Sequence, residues 1–169
     1  MKKNLVLIGM MAVGKTTIGM LLSKKLVVPF EDLDARIENR ESLTVKKIFD
    51  LKGESYFRKV EETECLKIIN VKSRIIALGG GTFINQRVRN EIKKTCFSVW
   101  LDLPPKEIFA RVRAKKERPL LMNTKSISDV ENIYLNRKKI YALADYRLDC
   151  ASKTKEQIVK EIEKIYENI

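Results

Sequence analysis

The segment Gly9-Met10-Met11-Ala12-Val13-Gly14-Lys15-Thr16 fills every fixed position of the template G-x-x-x-x-G-K-[ST], and its flanks give the match its meaning. Before it runs Asn4-Leu5-Val6-Leu7-Ile8, short and apolar, as a buried strand is. After it, Ile18, Leu21, Leu22 and Leu26 recur at helical spacing. A strand that passes through a glycine-bearing turn into a helix makes a cradle of backbone N–H groups at a positive helix end. Gly9, Ala12, Val13, Gly14, Lys15, Thr16 and Thr17 are the candidate contacts of a nucleoside triphosphate. Lys15 would reach the β- and γ-phosphates, and the Thr16 hydroxyl would join the shell of Mg²⁺. The motif reports the triphosphate and is silent about its use.

The rest of the chain alternates apolar strands with amphipathic helices. Strands are expected at Pro29–Asp32, Ile75–Leu78, Cys96–Leu101 and Arg147–Cys150, and helices at Val45–Lys52, Glu54–Asn70, Arg87–Lys94, Pro105–Arg113, Ile127–Asp145 and Lys155–Asn168. Residues 114–126 are polar and aperiodic. This alternation predicts one α/β domain over residues 1–169, a five-stranded parallel sheet with helices on both faces. A chain of 169 residues with 44% hydrophobic content can bury one substantial core.

Composition removes several function classes. The chain has no histidine, which excludes the His-containing metal and triad sites. Cys65, Cys96 and Cys150 are odd in number, far apart and set among apolar neighbours, as reduced core thiols of a cytoplasmic protein are. No segment is long enough to span a bilayer, and the apolar N-terminus ends in Gly-Lys-Thr-Thr with no cleavage site. The formal charge of +12 invites a nucleic-acid reading, but Lys and Arg are scattered and no aromatic residues are interleaved with a basic stripe.

Four further features carry chemistry. Asp32-Leu33-Asp34 follows a strand candidate, and in extended backbone residues two apart face the same side. Two carboxylates would then point beyond the strand's carboxyl end, where open α/β sheets bind ligands; the alternative is an acidic helix start. Arg58 lies between Phe57 and Glu61 on a partly buried helix face, where an arginine needs an anion; an intrahelical ion pair with Glu61 would also answer that need. Gly79-Gly80-Gly81 directly after a buried strand lets a ligand approach the backbone. Finally, Arg118 stands in the aperiodic stretch, and Arg137 lies in the apolar stripe of Val130, Tyr134, Tyr141 and Ala144, where a charge demands a partner.

The phosphate loop, Asp32-x-Asp34, Phe57-Arg58-x-x-Glu61, the glycine triplet, Arg118-Pro119-Leu120-Leu121 and Arg137-x-x-x-Tyr141-x-x-x-Ala144-Asp145 together resemble shikimate kinase, in that family's order and spacing. The resemblance implies Mg²⁺-dependent transfer of the ATP γ-phosphate to the 3-hydroxyl of shikimate, in a nucleoside-monophosphate-kinase type of fold. It implies Asp32 as a Mg²⁺-shell carboxylate with Thr16, and Asp34 beside the accepting hydroxyl. Arg58, Glu61, Arg137 and the backbone of Gly79, Gly80 and Gly81 would hold shikimate, the two arginines gripping its carboxylate. Lys15, Asp34 and Arg118 would carry catalysis. Arg111 would lie against the adenine, with Lys153 bordering it. Residues 114–126 become a mobile lid and about 35–62 the substrate-binding helices, walled by Val45, Phe49 and Phe57. A cytoplasmic monomer that binds neither nucleic acid nor membrane is implied as well.

This sequence departs from the family pattern at Ala12, where a further glycine is usual, and at Leu33, where a small polar residue is. Alanine resists positive φ, so the loop is expected to be slightly reshaped. A gluconate or nucleoside monophosphate kinase of the same architecture is the rival reading. The paired arginines favour a carboxylated acceptor over a nucleotide.

Overall fold

The computed structural model describes residues 3–114 and 126–168. The expected lid, including Arg118, lies outside the described residues apart from Ala114 and Ser126 at its ends.

Strand β1 (Asn4–Ile8) leads through the phosphate loop into helix α1 (Lys15–Leu26), followed by β2 (Phe30–Asp32), α2 (Leu33–Glu41), α3 (Val45–Ile69) and β3 (Ile75–Ala77). A short 3₁₀ turn, Thr82–Ile84, precedes α4 (Gln86–Thr95), β4 (Cys96–Asp102) and α5 (Pro105–Ala114). The chain closes with α6 (Ile127–Tyr141), β5 (Tyr146–Asp149) and α7 (Lys155–Glu167). The five strands form one sheet in the order β2-β3-β1-β4-β5, and every pairing is parallel. Leu5, Val6, Leu7 and Ile8 are all buried although alternate residues of a strand face opposite ways, so helices cover both faces.

The order puts β1 at the centre, with β3 and β2 on one side of it and β4 and β5 on the other. The chain runs from β1 out to β2, back to β3, and then crosses to β4. That crossing opens a crevice at the carboxyl ends of the strands. The phosphate loop, the glycine triplet and Asp102 all sit at that end.

Two expectations are corrected. First, Asp34 is not in extended backbone. Asp32 ends β2 and is the N-cap of α2, its carboxylate accepting from the Asp34 and Ala35 N–H groups, so Asp34 belongs to the first helical turn. Second, α6 stops at Tyr141, short of the expected Asp145, because Asp145 is drawn to β4. Its Oδ2 accepts from the Ser98 N–H and hydroxyl at 2.8 and 2.6 Å, and its own N–H donates back to Ser98 Oγ. The expected break at Gly53, between helices ending at Lys52 and starting at Glu54, is present as a kink within α3. Gly53 adopts φ 79° and ψ 168° inside α3, and helix resumes directly beyond it.

Candidate active site

The phosphate loop owes its shape to its glycines in two different ways. Gly14 caps α1 at φ 103°, a conformation that costs a side-chain-bearing residue dearly. Gly9 is also at positive φ, and a Cβ there would lie 2.6 Å from the Leu101 carbonyl oxygen, so close packing on β4 forbids one as well. Within the loop Lys15 Nζ donates to the carbonyls of Gly9 and Met10 at 2.9 and 2.8 Å, which holds the ammonium across the mouth of the cradle. Val13 is buried, whereas Thr17 is exposed on the first turn of α1. Arg111, on the last turn of α5, donates to the Val13 carbonyl at 3.3 Å and so lies against the loop. Lys153, just beyond β5, is ion-paired with Glu161 at 2.6 Å.

Beside the loop, the Thr16 hydroxyl donates to Asp32 Oδ2 at 2.6 Å. The other Asp32 oxygen is held by the start of α2, which fixes the carboxylate toward Thr16. One hydroxyl and one carboxylate, both hard oxygen donors, match the way Mg²⁺ is held by few protein oxygens, with waters and phosphates supplying the rest.

The glycine triplet organises the other half of the crevice. None of the three has positive φ, so what distinguishes them is how closely neighbouring side chains approach the backbone. A Cβ on Gly79 would lie 2.9 Å from Glu61 Oε1 and 3.0 Å from Asp34 Oδ1. On Gly80 it would lie 3.1 Å from Arg137 Nη1 and 3.6 Å from the Met11 nitrogen of the phosphate loop. On Gly81 it would lie 2.7 Å from Arg58 Nη1. Asp34 from α2, Glu61 and Arg58 from α3, and Arg137 from α6 therefore converge on three consecutive backbone positions.

Glu61 is buried with both oxygens taken. Oε2 accepts from Arg58 Nη1 at 2.8 Å and Oε1 from the Thr82 hydroxyl at 2.7 Å. Arg58 also donates to Glu54 from Nε and Nη2. Burial alone would lower the Arg58 pKa, but Glu61 and Glu54 more than offset it and raise it. Arg58 is thus ion-paired within its helix while its guanidinium lies beside Gly81. Phe49 and Phe57 pack with ring centroids 4.7 Å apart beside half-buried Val45, forming an apolar wall on α3.

Two elements of this arrangement were outside the sequence reading. Thr82 anchors Glu61, and its only signal is its place directly after the triplet. Tyr141 donates its hydroxyl to the Gly80 carbonyl; the sequence marks it as a member of a stripe and gives no hint of that partner.

A family model for shikimate kinase matches residues 11–167. The shikimate kinase of Sulfurihydrogenibium sp. (strain YO3AOP1) is 38% identical over 160 residues, covering 95% of each chain. That of Aquifex aeolicus (strain VF5) is 40% identical over 157 residues, covering 92% of this chain and 91% of its own. Among solved structures, shikimate kinase from Acinetobacter baumannii in complex with shikimate superposes with a TM-score of 0.93 at 27% identity, over 99% of this chain and 94% of that one. A gluconokinase from Sinorhizobium meliloti 1021 reaches a TM-score of 0.64 at 12% identity, which is likeness of fold alone. With a sequence match over nearly its whole length and a glycine-centred crevice of two arginines and an aspartate beside a phosphate loop, the chain belongs to the shikimate kinase family.

Proposed function

We propose that this chain phosphorylates the 3-hydroxyl of shikimate with ATP, using the crevice between the phosphate loop and the glycine triplet. The observation that carries this reading is the convergence of Asp34, Arg58 and Arg137 on Gly79, Gly80 and Gly81, with the Met11 amide of the loop next to Gly80. Donor and acceptor halves of a transfer site are thereby adjacent.

Each residue then has a task. Arg58 and Arg137 bind the carboxylate of shikimate, whose planar geometry suits guanidinium donors. Glu61 holds Arg58 in place through Oε2 and is itself anchored by the Thr82 hydroxyl through Oε1. Asp34 receives the hydroxyl that attacks and orients it in line, because positioning and electrostatics carry most of such reactions. Lys15 moves from the Gly9 and Met10 carbonyls to the phosphates, and the loop amides cradle them. Arg118, on the segment expected to close as a lid, would stabilise charge on the transferring group. Arg111 and Lys153 border the base. Thr16 and Asp32 would hold Mg²⁺, which when bound neutralises charge developing between the β- and γ-phosphates.

The resemblance to the family supports a monomer. The three buried, unpaired cysteines suit a reducing cytoplasm. None of the described helices is long and apolar enough to cross a membrane.

The test is ADP release with ATP, Mg²⁺ and a panel of shikimate, gluconate and nucleoside monophosphates. Stimulation by shikimate alone is expected; none above the ATP-only background overturns the reading. Asp34→Asn should lower kcat by about a hundredfold or more while leaving KM for ATP within about threefold. Unchanged turnover would remove Asp34 from its role.

A further inference from the structure

Helix α6 is held to the sheet by two hydroxyls of its buried stripe, one on either side of Arg137. Three residues before Arg137, buried Tyr134 donates to Asp102 Oδ1 at 2.9 Å. Asp102 ends β4 and is itself fixed by Arg147, whose Nε and Nη2 donate to Oδ2 at 2.8 and 2.6 Å. Four residues after Arg137, fully buried Tyr141 donates to the Gly80 carbonyl, with its ring 5.9 Å from that of Trp100. Neither anchor is required to form the helix, whose backbone bonds close within it. What the anchors determine is where Arg137 sits relative to Gly80.

We propose that Tyr134 and Tyr141 are positioning residues for recognition of the acceptor's carboxylate, Tyr141 fixing both Arg137 and the peptide plane of Gly80–Gly81, and Tyr134 fixing the preceding turn of α6. In a trans peptide the Gly80 carbonyl and the Gly81 N–H point opposite ways, so a hydroxyl that pins the carbonyl also aims that N–H. Losing the Tyr141 hydroxyl frees the peptide plane and leaves the half-buried Gly80 carbonyl without this donor. Burial, together with Asp102, pushes the Tyr134 hydroxyl up to about 12, and burial raises that of Tyr141 against the opposing pull of Arg137. Both therefore remain donors across the range in which the enzyme works.

The proposal rests on the assignment of Arg137 to the shikimate carboxylate, and the experiment separates the two. Steady-state kinetics are measured for Tyr141→Phe, Tyr134→Phe, Arg137→Ala and the double variant Tyr141→Phe/Arg137→Ala. Arg137→Ala should raise KM for shikimate by about 10- to 100-fold, and Tyr141→Phe by about fivefold, each with KM for ATP within about twofold. Tyr134→Phe should raise it by about threefold. In the double variant, Tyr141→Phe should add clearly less than its own roughly fivefold effect to that of Arg137→Ala, because part of its action passes through Arg137 and only the part through the Gly80–Gly81 plane remains.

If Arg137→Ala leaves KM for shikimate unchanged, the site assignment itself fails. If that variant behaves as expected but Tyr141→Phe leaves KM unchanged, raises both KM values together, or multiplies fully with Arg137→Ala, the positioning role is overturned and Tyr141 is only a packing residue. Should Tyr141→Phe not fold, Tyr134→Phe carries the same selective expectation, and an unchanged KM there overturns the proposal.

Discussion

At Ala12 the chain holds a conformation that its residue type resists. Its φ is 61°, in the left-handed region where the Cβ crowds the backbone, at a cost of roughly 1–2 kcal/mol. The loop is therefore not reshaped to suit alanine; alanine is strained to suit the loop. Sequence shows the missing glycine but not which way the conflict resolves, because φ at one position is set by the two ends it must join, β1 and α1. Ala12→Gly removes the strain and adds roughly 0.5–1 kcal/mol of chain entropy to be lost on folding. The expected net gain is about 0.5–1 kcal/mol, seen as a rise in Tm of about 1–4 °C for a chain of this size, with kcat/KM within about twofold. Ala12→Val should go the other way, since a β-branched residue tolerates this region worst. A lower Tm for the glycine variant would show that the loop does not strain Ala12. The same limit on legibility applies to Lys15 and Tyr141. Their types and spacing are plain in the sequence, but their carbonyl partners exist only once the loop and the triplet meet.

Among the elements, α2 is the one whose start the sequence leaves open between extended backbone and a helix. Only Leu33 and Ile37 of its nine residues are buried, too few for a visible helical stripe, and Asp32-Leu33-Asp34 fits extended backbone equally well. By contrast α7, with Ile158, Val159, Ile162 and Tyr166 all buried, was legible along its length. Helix α2 is secured instead by a charge that sequence spacing cannot reveal. Glu64 on α3 is buried, and it accepts from Arg36 Nε at 2.8 Å and Arg40 Nη1 at 2.6 Å on α2, and from Lys67 Nζ at 2.8 Å on its own helix. Burial pushes its pKa up, but hydrogen bonds from Lys67, Arg36 and Arg40 outweigh that and bring it down to about 2, from 4.5. A carboxylate depressed in the folded state stabilises fully above its unfolded pKa and loses that contribution as pH falls through its folded pKa, here from about 4.5 to about 2. The full shift is worth on the order of 3 kcal/mol, and solvent around the half-exposed cations brings this to about 1–2 kcal/mol. Glu64→Gln should therefore cost about 1–2 kcal/mol in urea unfolding at neutral pH, with the gap to wild type narrowing steadily between pH 4.5 and 2. A gap that stays constant with pH would mean the charge of Glu64 is not what joins α2 to α3. Since α2 carries Asp34 and α3 carries Arg58, the same variant should raise KM for shikimate modestly, by about two- to threefold.

Over the whole molecule the question is what a net charge of +12 is for. Several cations are consumed in fixed pairs, Arg36 and Arg40 with Glu64, Arg74 with Glu31, Arg147 with Asp102 and Lys25 with Glu163, and these hold elements together. The remaining excess is spread along the sequence and still sets a positive field around the molecule. Both substrates of the family's reaction are anions, and Lys15, Arg58, Arg111 and Arg137 lie at one crevice at the carboxyl ends of the strands, where low-dielectric walls focus such a field. Steering of this kind acts on encounter and leaves the transfer step alone, so salt should separate the two. As ionic strength rises from about 0.01 M to about 0.1 M the screening length falls from about 30 Å to about 10 Å. Over that range kcat/KM for shikimate and for ATP should each drop severalfold while kcat stays within about 1.5-fold. Sulfate and chloride matched in ionic strength separate screening from competition, since an anion that occupies the phosphate cradle raises KM for ATP alone. A kcat/KM independent of salt would leave the basic surface without a part in substrate capture, and the charge would then act only through solubility and the fixed pairs.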